Sequence, residues 1–178
     1  MAETTLILGG ARSGKSRHAE TLVEQAGGRL VYLATAEARD EEMRARIREH
    51  QRRRGDRWQT IEEPLDLVAA LTKHAAPECA ILVDCLTLWL SNLMEVERNV
   101  EEETERLLAA LPGLGGAIVF VSNEVGMGIV PENALARAFR DHAGRLNQQV
   151  AAAVDQVIFV AAGLPLVLKG PPPGELDP

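Results

Sequence analysis

The chain has 178 residues, a formal net charge of −7 and only two cysteines. This length predicts a single domain with a substantial buried core. The acidic balance excludes a general nucleic-acid surface, because binding a phosphate backbone needs a basic face. Neither a leader pattern nor an apolar stretch of bilayer-spanning length stands out. Cys79 and Cys85 lie in or beside an apolar segment, as reduced intracellular thiols usually do, so we expect a cytoplasmic protein without a membrane anchor.

The first predicted element is a strand over residues 4–8, which runs directly into the phosphate-binding pattern G-x-x-x-x-G-K-[ST]. The simpler alternative is a glycine-rich turn without a ligand. Strand, spacing, lysine and serine together favour a site for a nucleoside triphosphate, with Lys15 on the β and γ oxygens and Ser16 on Mg²⁺. The nucleotide-binding residues expected here are Gly9, Gly10, Ala11, Arg12, Ser13, Gly14, Lys15 and Ser16.

Strand and helix patterns then alternate along the chain, which predicts an α/β fold: a mostly parallel sheet of the P-loop NTPase type, flanked by helices. Continuous apolar runs suit strands that are buried on both faces. Five core strands are expected, at residues 6–8, 30–34, 80–83, 117–121 and 157–161. Helices are expected at residues 15–25, 40–53, 65–74, 86–94, 100–111 and 131–153.

The strand at 80–83 is followed at once by Asp84. Many phosphate-loop proteins place a carboxylate beside Mg²⁺ in this way, at the carboxyl edge of the sheet. An Asp at this point can also cap the following helix. Combined with the phosphate loop, the pattern makes Asp84 the candidate for the second metal contact, beside Ser16.

Residues 40–57 carry seven arginines in an otherwise acidic chain. On a helix, Met43, Ile47 and His50 share one face while most of the arginines point elsewhere. One interpretation is a packed histidine beside solvated arginines. The other is a neutral histidine that attacks phosphorus while the arginines after it hold a phosphate.

Glu124 follows the strand at 117–121, on a loop where sheets of this type bind ligands. It is a candidate proton acceptor, or else a carboxylate that fixes the Gly-rich loop after it. His18, His74 and His142 are interpreted as packing or surface residues, and Trp58 and Trp89 as core residues.

The C-terminal part predicts an edge strand at residues 166–168, antiparallel to its predecessor across the turn Gly163-Leu164-Pro165. Residues 1–170 are therefore expected to form one P-loop nucleotide-binding catalytic domain. The Pro- and Gly-rich tail, residues 171–178, is expected to be flexible.

Several segments together resemble one family. They are residues 9–20, residues 32–36, residues 40–50, and the string VSNEVGMGIVPE at residues 121–132. The resemblance is to the bifunctional adenosylcobinamide kinase/adenosylcobinamide-phosphate guanylyltransferase of cobalamin biosynthesis, and it runs from about residue 6 to residue 168. The phosphate loop is widely shared, whereas the string at 121–132 is distinctive.

The resemblance implies two reactions: phosphorylation of adenosylcobinamide by ATP or GTP, and transfer of GMP from GTP through a guanylyl-histidine. It implies Mg²⁺, a homotrimer, and small-molecule substrates only. His50 and Lys15 would be catalytic. Besides the phosphate loop, the nucleotide would be held by Ala34, Thr35, Ala36, Gln51, Arg52, Arg53, Arg54, Glu62 and Asp84. The alternatives are a plain P-loop kinase or NTPase in which His50 is structural, and a nucleotide-binding regulatory module without turnover.

Overall fold

The fold is a seven-stranded, mostly parallel sheet with helices on both faces, as seen in a computed structural model that describes residues 3–36 and 55–171. The strands are β1 Glu3–Gly9, β2 Arg29–Ala34, β3 Trp58–Glu62, β4 Cys79–Asp84, β5 Ala117–Asn123, β6 Gln156–Ala161 and β7 Leu164–Lys169. The helices are α1 Lys15–Ala26, α2 Leu67–His74, α3 Leu86–Glu95, α4 Val100–Ala110 and α5 Ala134–Ala153. Short 3₁₀ turns lie at Gly55–Arg57 and Leu111–Gly113.

The strand order is β3-β2-β4-β5-β1-β6-β7, and among the strands of residues 3–36 and 55–171 only the β6–β7 pair is antiparallel. Helix α1 packs on one face through Ala19 and Val23. Helices α2 to α5 cover the opposite face, where Leu86, Trp89 and Leu146 join the larger core cluster. Burial on both faces explains why the central strands are continuous apolar runs. The predicted α/β class, the parallel sheet and the antiparallel edge are confirmed.

One strand is missing from the sequence prediction. β3 pairs parallel with β2, Leu30 opposite Trp58, and forms an edge of the sheet. Its burial pattern is mixed, with Trp58 buried and Gln59 and Thr60 exposed. An edge strand partly exposed to water has no continuous apolar run, so the criterion that found the core strands passed over it.

Two boundaries also need correction. The C-terminal hairpin turns at Ala162 and Gly163, both with positive φ (52° and 80°), so β7 starts at Leu164 rather than at residue 166. A two-residue turn of this kind matches the twist of paired strands. Helix α5 begins at Ala134 rather than at residue 131, because the Asn133 side chain caps it by accepting the Ala136 N–H. The predicted helix at residues 40–53 and the tail from residue 172 lie outside the described residues.

Within the described residues, no helix is long and apolar enough to cross a membrane. Cys79 and Cys85 are both buried and unbridged, and Trp58 and Trp89 are core residues as predicted.

Candidate functional site

The phosphate loop occupies the turn between β1 and α1, at the carboxyl edge of the sheet. β1 ends at Gly9 and α1 begins at Lys15, with Gly14 as its N-cap in a left-handed conformation (φ 97°). Arg12 also has a positive φ, 55°. Left-handed residues in such a turn direct backbone N–H groups to one side, which suits an anion at the start of α1.

The loop fits closely against the structure around it. A Cβ on Gly9 would lie 2.5 Å from the Val160 carbonyl oxygen and 2.6 Å from Ser13 Oγ, and a Cβ on Gly14 would lie 3.1 Å from Gly163 Cα. Gly163 in turn donates its N–H to the Ser13 carbonyl at 2.7 Å. The β6–β7 hairpin therefore packs against the phosphate loop and hydrogen-bonds to it, which the sequence did not indicate.

Lys15 is buried at the start of α1, and its ammonium group donates to the Gly10 carbonyl at 3.0 Å. Burial lowers the pKa of Lys15, and the nearby Asp84 acts in the opposite direction. The ammonium thus lies inside the loop and close to Asp84, where the charge of a triphosphate would stabilise its protonated form.

Ala34, Glu62 and Asp84 form one row across three strand ends. In the sheet register Ala34 lies opposite Glu62 on one side and opposite Asp84 on the other. Sequence patterns gave no reason to place these three residues side by side. Only the family resemblance assigned all three to the nucleotide site. Asp84 Oδ2 accepts the Tyr32 hydroxyl at 3.1 Å, which orients the carboxylate.

Thr35 joins the ends of β2 and β4. Its buried hydroxyl donates to the Cys85 carbonyl at 2.7 Å and accepts the Cys85 N–H at 2.8 Å. Burial, with the neighbouring Asp84 charge, raises the pKa of Cys85 to about 12, so this thiol stays protonated. This pair of hydrogen bonds fixes the backbone of Cys85, the residue directly after Asp84.

Asn92 of α3 links one expected nucleotide-binding stretch, residues 34–36, to the residues that follow Glu62. Its side-chain amide donates to the Thr35 carbonyl at 2.8 Å and to the Pro64 carbonyl at 3.0 Å. Glu63 N–H also donates to the Ala34 carbonyl at 2.9 Å. Sequence reasoning missed Asn92, although a lone amide in the apolar helix LTLWLSNLME was a usable signal.

A ring of hydrogen bonds fixes the end of β5. Asn123 N–H donates to Thr87 Oγ1 at 2.7 Å, Thr87 contacts Ser122 Oγ at 3.2 Å, and Ser122 donates to Asn147 Oδ1 at 2.7 Å. Asn147 closes the ring by donating to the Asn123 carbonyl at 3.3 Å. The next residue, Glu124, donates its N–H to the Gly9 carbonyl at 3.1 Å, which ties this loop to the phosphate loop.

Glu124 also has a structural contact: its Oε1 accepts the Gly126 N–H. The structure therefore contains the contact by which this carboxylate would fix the Gly-rich loop. His18 is half-buried on α1, with Nε2 buried and unpaired among the described residues, and burial lowers its pKa. His50 and Gln51 to Arg54 lie outside the described residues.

The donors at this edge suit a magnesium nucleotide. Ser16 and Asp84 offer hydroxyl and carboxylate oxygens, which Mg²⁺ prefers. Left-handed loop residues and a buried ammonium beside Asp84 complete an environment for a polyphosphate.

Comparison with known proteins assigns the family. The model of the CobU family, described as cobinamide kinase / cobinamide phosphate guanyltransferase, matches residues 5–168. The chain belongs to this family. The resemblance noted in the sequence is therefore confirmed, and the chain is an enzyme of the bifunctional kinase and guanylyltransferase type.

Curated relatives of this CobU-family chain match it over nearly their full length. The bifunctional adenosylcobalamin biosynthesis protein CobP of Pseudomonas aeruginosa is 50% identical over 169 residues, 94% of this chain and 98% of the relative. The bifunctional adenosylcobalamin biosynthesis protein CobU of Salmonella typhimurium is 44% identical over 179 aligned positions, 92% of this chain and 98% of the relative.

Among solved structures, an ATPase of a bacterial type III secretion system superposes with a TM-score of 0.57 at 10% sequence identity. The match covers 93% of this chain and 56% of that one, so this chain spans little more than half of its length. At this identity the likeness shows the fold alone.

Proposed function

We propose that this enzyme phosphorylates the aminopropanol hydroxyl of adenosylcobinamide from a nucleoside triphosphate and then transfers GMP from GTP to the product, releasing pyrophosphate. One observation carries the proposal. A chain of this family brings a phosphate loop with a buried Lys15 to the same sheet edge as Ala34, Glu62 and Asp84. Parallel sheets of this kind bind ligands at that edge.

The nucleotide would span this edge. Gly9 to Ser16 would hold the phosphates, with Lys15 against the charge that develops during transfer. By family resemblance, Ala34 to Ala36, Gln51 to Arg54, Glu62 and Asp84 would hold the rest of a guanine nucleotide. Ser16 and Asp84 would hold Mg²⁺, whose role when bound is to neutralise charge on the phosphate oxygens.

In the kinase step, the substrate hydroxyl oxygen attacks the γ-phosphorus while the bond to the β–γ bridging oxygen breaks, and a nucleoside diphosphate departs. The hydroxyl proton needs an acceptor. We assign Glu124 as the candidate, because its N–H is bonded to the Gly9 carbonyl and its loop therefore begins beside the phosphate loop.

In the guanylyl step, neutral His50 attacks the α-phosphorus of GTP and pyrophosphate departs, which leaves GMP on the imidazole. An oxygen of the cobinamide phosphate then attacks that phosphorus, and the P–N bond breaks to release the histidine. The support is the family membership and the arginines after His50, which match charged phosphates. By the same resemblance the enzyme would act in the cytoplasm as a homotrimer.

The decisive experiment is incubation with Mg²⁺ and GTP labelled at the α-phosphorus, followed by denaturation, beside a His50→Ala control. Acid-labile, base-stable label on the wild type alone would establish the phosphoramidate. Absence of label, with GTP binding measured separately, contradicts the covalent step. Phosphate transfer that survives His50→Ala with no label at any stage favours the plain kinase. Intact triphosphate after hours with adenosylcobinamide favours the regulatory module.

A further inference from the structure

The segment after β5, together with the first turn of α5, exposes an unusual set of large apolar side chains. Within nine residues, Met127 is 80% exposed, Ile129 97%, Val130 61% and Leu135 67%. We call these four residues the apolar shelf. Exposed apolar residues are normal when scattered singly, whereas a group of this size marks a binding surface.

The segment that carries the shelf is anchored at both ends. At the first end, Glu124 Oε1 accepts the Gly126 N–H, and Val125 packs against the larger core cluster. At the other end, the Arg137 guanidinium donates to the carbonyls of Pro131 at 2.9 Å and Glu132 at 2.6 Å. The apolar side chains are thus presented to solvent by a segment with fixed ends, which lowers the entropy lost when they bind a ligand.

The segment that carries the shelf begins next to the phosphate loop. Glu124 N–H donates to the Gly9 carbonyl at 3.1 Å, so the segment leaves the sheet beside the last residue of β1. A ligand on the shelf can therefore extend a reactive group toward the phosphate loop. The phosphate loop itself is polar, so the two surfaces suit opposite ends of one amphiphilic molecule.

We propose that the apolar shelf binds the corrin macrocycle of the acceptor substrate, and this inference rests on the proposed function. A corrin is a broad ring with apolar faces, and its rim carries methyl groups between polar amide arms. The ring faces and methyl groups complement Met127, Ile129 and Val130. Its aminopropanol arm carries the hydroxyl that is phosphorylated, and the arm reaches from the shelf to the phosphates. The shelf contributes binding and position, and no bond is made or broken on it.

The test is a Met127→Ser/Ile129→Ser double variant, with Leu166→Ser as the matched control. Leu166 is a 60% exposed leucine on β7, so the control removes one exposed apolar side chain outside the shelf. KM is measured separately for adenosylcobinamide and for the triphosphate, and adenosylcobinamide binding is measured directly by equilibrium dialysis using its own absorbance. We expect the double variant to raise the KM and Kd for adenosylcobinamide roughly ten- to hundredfold. The triphosphate KM should stay within about twofold, and Leu166→Ser should match the wild type.

Three results overturn the inference. The first is an affinity for adenosylcobinamide that is unchanged in the double variant, or that Leu166→Ser changes by the same factor. The second is a triphosphate affinity that falls in the double variant as much as the adenosylcobinamide affinity, which would show a general disturbance of the loop. The third is a lower molar mass of the double variant in light scattering, which would show that the shelf is a contact between copies of the chain. A wild type that binds adenosylcobinamide on the shelf without transferring phosphate or GMP contradicts the proposed function instead, because the dialysis measurement does not depend on turnover.

Discussion

At the scale of single residues, the phosphate loop depends on two glycines, because a Cβ atom at either position would crowd neighbouring atoms. Gly9 lies at the end of β1, where a Cβ would meet the Val160 carbonyl and Ser13 Oγ. Gly14 combines a positive φ with a close approach to Gly163. The G-x-x-x-x-G spacing therefore reflects contacts with the β6–β7 hairpin as well as space for phosphate.

Gly9→Ala is expected to lower the free energy of unfolding by about 1–3 kcal/mol, because backbone must move to admit the methyl group. Nucleotide affinity should fall with it. Gly10→Ala is the matched control for stability, since a Cβ there meets nothing within 4 Å. Chemical denaturation of both variants is the measurement. Equal losses of stability would show that the close approach at Gly9 is relieved without strain.

Lys15→Met should reduce phosphate and GMP transfer at least about a hundredfold, because it removes the positive charge from the phosphate loop. The free protein should be as stable as the wild type or more stable. Burial lowers the pKa of Lys15, so the native state holds this proton less tightly than the unfolded chain does.

The destabilisation caused by the Lys15 charge is complete below the lowered pKa and disappears as pH rises to 10.5, where unfolded lysine titrates. The stability advantage of Lys15→Met should therefore shrink in alkaline solution. Denaturation curves across this pH range measure it. A difference that grows with pH would contradict the burial argument.

At the scale of elements, the strand ends are held together by buried polar side chains directly after β2 and on α3, β5 and α5. Thr35 joins β2 to the end of β4, and Asn92 joins β2 to the residues after β3. The ring through Ser122 and Asn147 does the same for β5. These contacts fix the backbone from which the expected nucleotide ligands extend.

Thr35→Val tests this arrangement, because valine keeps the shape and removes the hydroxyl. The buried Cys85 N–H then loses its partner, so we expect about 1–3 kcal/mol lower stability and a higher KM for the triphosphate. Thr35→Ser keeps the hydroxyl and should lose only about 0.5–1.5 kcal/mol, with KM near the wild-type value. Thermal unfolding and steady-state kinetics compare the two. A larger KM increase for serine than for valine would refute the role of the hydroxyl.

At the scale of the whole molecule, one contact joins the first strand to the turn between α5 and β6. Asp155 Oδ2 accepts the Thr4 N–H at 2.8 Å and the Thr4 hydroxyl at 2.7 Å, across 151 residues of chain. Asp155 N–H donates back to the Thr4 carbonyl at 3.0 Å. The pair sets where β6 enters the sheet beside β1.

These hydrogen bonds hold the pKa of Asp155 below its usual 3.8. The stability that Asp155 contributes is therefore present above pH 3.8 and is lost as pH falls through the lowered pKa. Asp155→Asn should be less stable than the wild type at pH 7 by about 1 kcal/mol, and the difference should narrow in acid. Urea denaturation from pH 7 to pH 3 is the measurement. A constant difference would exclude the carboxylate charge as its source.

The sequence by itself determined the features that depend on local spacing. The phosphate loop, the alternation of strands and helices, and the C-terminal hairpin are patterns over a few to about twenty residues, where steric limits and side-chain periodicity act directly. The string at residues 121–132 and its companions determined the family.

Only the tertiary structure decided how distant segments meet. The strand order puts Glu62 and Asp84 on either side of Ala34, and neither neighbour follows from chain order. Strand β3 was not predicted because its extended conformation is stabilised by pairing with β2, and its own sequence has no continuous apolar run. The support of the phosphate loop by Gly163 joins residues about 150 positions apart. Such contacts form because buried backbone N–H and C=O groups need hydrogen-bond partners, and distant segments supply them. A local sequence pattern does not show which distant segments will pair.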